Sequence, residues 1–190
     1  IPHIYRRVAD ELIVELNLTS HLRDFKQDDL FAAGLNKTFS DLTLGYQPTE
    51  HLDQLFAAIC KSSGFDPIRI KEQSEKLKKL SQNLTLEKIE AFLKQKPNAN
   101  DVDENQIKKI FTKKDKCYSR LISIGILDVM DKLTQNKSAE PKAIEIAKEI
   151  AQFIGLSEER IEKDISSYLR SIEKIEQFIE LQKELNKKNK

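Results

Sequence analysis

Apolar residues recur along this chain at steps of three and four, the spacing that lines one face of a helix. In the first segment, Ile4–Leu18, they are Ile4, Tyr5, Val8, Leu12, Ile13 and Leu16. A second helix is predicted over about Asp28–Leu44, with Leu30, Phe31, Leu35, Phe39 and Leu42 inward and Gly34 in its interior. A glycine there costs a helix about 1 kcal/mol relative to alanine, so its presence points to another helix crossing closely. Gly45 offers a left-handed C-terminal position. Thr49 is the expected cap of a third helix, about Glu50–Ser62, that buries Leu52, Leu55, Phe56, Ile59 and Cys60. Asp66 as cap and Pro67 at the first helical position open a fourth, increasingly basic one that runs to Leu80.

The pattern continues through 85–95, where Thr85 starts a helix with Leu86, Ile89, Phe92 and Leu93 on one face. The stretch "KPNANDVDEN" at 96–105 reads as the clearest loop, and a short helix follows over about Asp103–Phe111. After the basic hinge "TKKDK", the segment Cys117–Leu133 spreads Tyr118, Leu121, Ile122, Ile124, Leu127, Val129 and Met130 around most of its circumference. A helix apolar nearly all round belongs at the centre of a bundle. Ser138 and Pro141 mark the next start, and Ile144, Ala147, Ile150 and Ala151 form its inner face up to Gly155. The last helix opens at Ser157 and runs to about Asn186. Its Ile161, Ile165, Tyr168, Ile172, Ile175 and Ile179 alternate steps of four and three, a coiled-coil-like seam. At 1.5 Å per residue it reaches roughly 43 Å, so it is expected to project or to pack on a helix beyond the body. The expectation is an all-α, multi-helix bundle of about eight or nine helices, with a body over 1–155 and a long C-terminal helix over 156–190.

Composition supports this picture: only 5 Gly and 5 Pro interrupt 190 residues that are 33% charged. Net charge is +1, with 6 basic against 10 acidic residues over 1–67, 14 against 8 over 68–120 and 12 against 13 over 121–190. That is a mild dipole rather than a polyanion-binding surface. Cys60 and Cys117 lie in apolar periodic stretches without metal-ligand spacing, and are read as reduced, packed thiols. No stretch approaches the roughly 18 apolar residues of a membrane span. The chain begins at Ile1 without a methionine, as a fragment of a longer protein would.

Candidate chemistry is sparse. None of His3, His21 and His51 stands three residues after a glutamate, and no zinc or phosphate-cradling motif is present. No metal, cofactor or small-molecule substrate is expected. "IKKIFTKKDKCYSR" interleaves cations with Phe111 and Tyr118 as a nucleic-acid patch would, but Ile107, Ile110 and Phe111 read as an inner helix face with its lysines in solvent. Lysine-rich helices allow weak peripheral contact with an anionic membrane. The remaining cluster is "YRRVADELIVEL", in which Arg6–Asp10 and Arg7–Glu11 are i, i+4 pairs with Glu15 a turn further on. It is read as a polar clasp holding the first helix to its neighbours, or as a partner contact, with Tyr5, Arg6, Arg7, Asp10, Glu11 and Tyr46 as the candidate residues. The alternatives are a helical enzyme or ligand-binding protein built on the Arg6/Arg7/Glu11 cluster, and a nucleic-acid-binding protein using Lys108–Arg120.

"YRRVADELIVELNL" at 5–18, "DDLFAAGL" at 28–35, "GYQP" at 45–48, "LFAAICKSSGFDP" at 55–67 and "YSRLISIGILDVMD" at 118–131 together resemble the Thylakoid Formation family, also called the photosystem II biogenesis family. Tyr5, Arg6, Arg7, Asp10, Glu11, Gly45, Tyr46 and Pro48 stand at its recurring motif positions. The resemblance implies an all-helical, non-enzymatic factor for photosystem II assembly and repair that associates with thylakoid FtsH protease complexes. Plant members are also linked to chloroplast development and G-protein signalling. It implies no catalytic residues. The implied location is the cytoplasmic side of the thylakoid membrane in a cyanobacterial-type member, or the chloroplast stroma and thylakoid in a plant one.

Overall fold

Two helices that cross at glycines organise the molecule. A computed structural model describes residues 3–94, 102–111, 117–134 and 141–188. Among the described residues the elements are α1 (His3–Ser20), α2 (Asp29–Leu42), a 3₁₀ turn (Thr49–His51), α3 (Leu52–Ser62), α4 (Pro67–Ser81), α5 (Leu86–Leu93), α6 (Val102–Ile110), α7 (Arg120–Leu133), α8 (Pro141–Phe153) and α9 (Glu158–Lys188), with no strand. The all-α expectation holds.

The most extensive packing is α2 on α7, followed by α2 on α4. A Cβ added at Gly34 would lie 1.7 Å from the Leu121 carbonyl oxygen, and one at Gly125 would lie 1.9 Å from that of Leu30. Each helix therefore presents a glycine to the other's backbone. Around this crossing α2 is buried on almost every side: Leu30 to Leu35, Thr38, Phe39 and Leu42 are all inside. Of the expected inner residues, Leu121, Ile122, Ile124, Leu127, Val129 and Met130 are buried, joined by Ser123, Gly125 and Ile126, while the helix starts at Arg120 and Tyr118 lies before it, half-buried.

Start signals in the sequence mostly became caps. Asp28 accepts from the Phe31 amide at 2.9 Å, Asp66 from that of Ile68 at 2.9 Å, Thr85 from that of Lys88 at 3.4 Å and Ser157 from that of Arg160 at 3.4 Å. Thr49 is the exception. Residues 49–51 wind as 3₁₀ after a cis Gln47–Pro48 bond, no side chain caps that turn, and α3 begins at Leu52. Gly45 has the expected positive φ of +77°. Of the predicted loop at 96–105, residues 102–105 are helical and 96–101 lie outside the described residues, and α8 buries Ala143 and Ile146 where Ile144 was expected. The hinge "TKKDK" and Ser138 lie outside the described residues.

At 31 residues α9 is about 46 Å long. Its seam is occupied within the chain: Ile161, Ile165, Tyr168 and Ile175 are buried in the common core, with Ile172 and Ile179 packed against it, on α2, α7 and α8. Only the last turns stand clear, with Leu181 and Leu185 each 60% exposed. Among the described residues no helix is long and apolar enough to cross a membrane. Cys60 and Cys117 are free thiols, the first buried and the second half-buried.

Candidate functional site

The first helix divides its motif between inside and outside. Tyr5 and Tyr46 are buried and touch edge-to-face, centroids 5.3 Å apart, while Phe178 of α9 meets Tyr5 from the other side at 6.2 Å. The Tyr5 hydroxyl donates to the Leu44 carbonyl at 3.0 Å. A side chain at Gly45 would meet Ile179 at 2.9 Å and that hydroxyl at 3.3 Å. The 45–48 turn is thus wedged between α1 and α9, and Tyr5 fastens it.

The charges point the other way. Arg7 Nε donates to Glu11 at 2.9 Å, but both side chains are well exposed, at 75% and 48%. Such a pair contributes about 0.3–0.5 kcal/mol. Arg6 and Asp10 are exposed, and the expected pair between them is absent among the described residues. The physical reason is the helix phase: Tyr5, Val8, Leu12 and Leu16 take the buried stripe, which turns residues 6, 7, 10 and 11 to solvent. Arg7, Asp10, Glu11, Val14 and Glu15 share one open depression of about 490 Å³ with Arg120 from the start of α7. Glu15 also accepts from Ser119 at 3.2 Å, tying α1 to α7, whereas the Arg120 Nε is buried without a hydrogen-bond partner. Val14 is 58% exposed in the middle of these charges. An apolar centre with a charged rim is the anatomy of a protein docking face.

The basic stretch 108–120 is engaged internally where it is described. Lys108 pairs with Glu104 at 3.3 Å and lies over the Phe92 ring at 6.0 Å, and Ile107, Ile110 and Phe111 are buried. Among the described residues no three His, Cys, Asp or Glu side chains converge as metal ligands would.

Two polar locks escaped the sequence reading. In the first, Lys37 of α2 bridges Asp41 at 2.9 Å and Asp131 of α7 at 2.7 Å, and Tyr168 of α9 donates to Asp41 at 2.6 Å. In the second, Asp164 of α9 accepts from Tyr118, and from Ser123 at 2.9 Å, with the Arg160 guanidinium 5.0 Å from the Tyr118 ring centre. The i, i+4 spacings of Lys37 with Asp41 and of Arg160 with Asp164 were the signals available; their partners lie far away in sequence.

These locks set an alkaline limit on stability. Burial, then Asp41, pushes Tyr168 up; burial, then Asp164, does the same to Tyr118; burial raises Tyr5, and burial, opposed by Lys71 and aided by Asp66, takes Cys60 to about 11. For Lys37 burial acts downward, but the Asp131 and Asp41 carboxylates more than offset it and the net shift is upward. A group raised in the folded state supports the fold fully below its unfolded value and stops doing so as pH climbs past it. The ordinary values are 9.0 for Cys, 10.0 for Tyr and 10.5 for Lys, so stability should decline from about pH 9 upward. Tyr168→Phe is expected to lower neutral-pH stability by about 2 kcal/mol, the value of a hydrogen bond to a charged group, and to flatten the alkaline decline. Urea midpoints at stepped pH check both; a variant falling as steeply as the native chain would refute the assignment.

The comparisons with known proteins come down on one family. The family model described as thylakoid formation protein matches residues 1–190. The chain is 39% identical over 191 residues to Protein Thf1 of Prochlorococcus marinus subsp. pastoris, covering all of this chain and 87% of that protein. It is 31% identical over 176 residues to Protein Thf1 of Acaryochloris marina, covering 92% and 71%. Among solved structures, that of Psb29 at 1.55 Å superposes with a TM-score of 0.81 at 28% identity, over all of this chain and 88% of that one. The chain belongs to the thylakoid formation protein family.

Proposed function

We propose that this protein is a non-enzymatic accessory factor for photosystem II biogenesis and repair that binds and stabilises a thylakoid FtsH protease complex from the cytoplasmic side. The observation that carries the reading is membership of the thylakoid formation family over the full length of the chain. The form of the site supports it: Tyr5 and Tyr46 hold structure, while Arg7, Asp10, Glu11 and Arg120 ring the exposed Val14 on an open face. Such a face offers docking complementarity rather than an enclosed reaction chamber. The mechanism is passive. A factor that binds only the assembled complex stabilises it by mass action, by about 2.7 kcal/mol at a hundredfold excess over its dissociation constant.

The test is affinity purification from thylakoids with the native chain and with Arg7→Glu combined with Val14→Asp, both at exposed positions. The native chain is expected to bring down FtsH and the variant at least tenfold less, consistent with the loss of an apolar anchor and a rim charge. FtsH levels and photosystem II repair in high light should fall when the gene is deleted. If deletion changes neither, the reading is wrong. The role of α9 is tested by stopping the chain after Ile179, because removing all of 157–190 would strip Ile161, Ile165 and Tyr168 from the core.

A further inference from the structure

We infer that the slot between α1 and α9 takes one aromatic side chain of the docking partner, together with a carboxylate that the partner carries beside it. Three helices leave this space unfilled where they meet: Ile4 and Val8 of α1, Leu42 of α2 and Ile175 of α9 form its apolar floor. Val8, Leu42 and Ile175 belong to the common core, so the slot reaches down to the interior. Its volume is about 150 Å³, the space of a benzene-sized group. Protein interiors pack closely enough that few voids larger than a water molecule survive. Here the α9 wall carries the small Ser171, whose hydroxyl donates back to the Ser167 carbonyl at 3.1 Å. A bulky apolar residue at 171 would close the gap from within the chain.

The charged residues of the slot set the charge of the occupant. Arg7 and Glu11 lie on the α1 side and pair with each other at 2.9 Å. Lys174 lies on the α9 side, exposed and without an ion pair among the described residues. The lining therefore keeps one uncommitted positive charge beside an apolar slot. Arg7 is 75% exposed, and a pair so open to water holds it only weakly, which lets it turn to a second acceptor. The complement of this arrangement is an aromatic ring with a carboxylate close by. A second copy of this chain has no such group to offer: its 9 Phe and 4 Tyr are all buried or half-buried, and it has no Trp. Arg7 and Glu11 also line the depression around Val14, so slot and depression lie on one face. The inference rests on the reading of that face as the docking surface and adds what the partner presents to it. Aromatic anchors seated in pockets are where interfaces concentrate their affinity.

The experiment titrates the full chain with 3-phenylpropionate, a benzene ring two methylenes from a carboxylate, and with phenethylamine, its cationic counterpart. Methyl resonances of Ile4, Val8, Leu42 and Ile175 report occupancy of the slot. The acid is expected to shift them saturably, and the amine to bind about fivefold more weakly or not at all. Ser171→Phe should abolish the shifts while thermal unfolding stays unchanged or rises, because its ring fills the space itself. Lys174→Glu, at an exposed position, should bring the acid down to the level of the amine. In purification from thylakoids, Ser171→Phe should recover about tenfold less FtsH than the native chain. No saturable shift, equal binding of acid and amine, or unchanged acid binding by Lys174→Glu would overturn the inference. Native recovery of FtsH by Ser171→Phe would overturn it as well, and would leave the docking reading standing if Arg7→Glu with Val14→Asp still loses the protease. A native chain that binds the acid as expected but recovers no FtsH would instead remove the protease and keep the slot as the anchor site.

Discussion

Gly34→Ala is expected to cost about 3 kcal/mol or more of folding stability, the upper end of what overpacking a core costs, and Gly125→Ala about as much, even though alanine is the better helix former by about 1 kcal/mol at each position. The reason is what the new methyl meets. At Gly34 it would lie 1.7 Å from the Leu121 oxygen and 2.8 Å from the Gly125 nitrogen; at Gly125 it would lie 1.9 Å from the Leu30 oxygen. All three are backbone atoms of helices, so no rotamer change relieves the contact. The helices must part instead, and parting loosens the largest interface in the molecule, with Phe31, Leu35, Leu121 and Leu127 among its fully packed side chains. The loss is a large fraction of the 5–15 kcal/mol that holds an ordinary domain together. Because one separation relieves both methyls, the double variant should cost clearly less than the sum of the singles. Urea unfolding of the three variants decides it: a Gly34→Ala chain with a native midpoint, or strict additivity, would remove the crossing from the account.

The legibility of this fold follows the same divide between local and distant. Helix starts were readable because a cap is made within four residues of itself, as at Asp66, Thr85 and Ser157. The central place of α7 was readable from its hydropathy. That of α2 was only half so, because Ala32, Ala33, Gly34 and Thr38 carry little apolar signal yet are what allows α7 to come near. The face of α8 was misjudged because Ile144 and Ile146 are equally apolar, and only the packing selects Ile146. The alternating steps of α9 announced a seam without announcing its partner, which proved to be three helices of the same chain. At the site, the Arg7–Glu11 pair was visible four residues apart. The Tyr5 bond to Leu44 and the placing of Arg120 beside α1 were not, since they bring together residues tens to more than a hundred positions apart.

Lys37→Met should remove about 3 kcal/mol at neutral pH, and its deficit should shrink as pH climbs above about 10.5. Lys37 is 16% exposed and sits 2.9 Å from Asp41 and 2.7 Å from Asp131, which are themselves 31% and 16% exposed. It is the cation that two carboxylates share, so its loss does more than delete two ion pairs. Both oxygens lie within 3 Å of one nitrogen and hence within about 6 Å of each other, where like charges at low solvent exposure repel appreciably. Breaking a buried pair by removing one partner costs about 3–5 kcal/mol, and the partial exposure of Asp41 argues for the lower figure. Tyr168 continues to donate to Asp41 in the variant and keeps that carboxylate anchored. Lys37 is held above its ordinary value of 10.5 by those two carboxylates against the opposing effect of burial, so what it contributes is present below that value and is lost as pH climbs past it. Asp131→Asn leaves Lys37 its bond to Asp41 and should cost about 1 kcal/mol, well below the lysine change. Urea midpoints for both variants between about pH 7 and pH 11 test the ranking and the slope. A Lys37→Met deficit that stayed constant across that range would show that the lysine contributes by packing, and not as the shared counter-ion of Asp41 and Asp131.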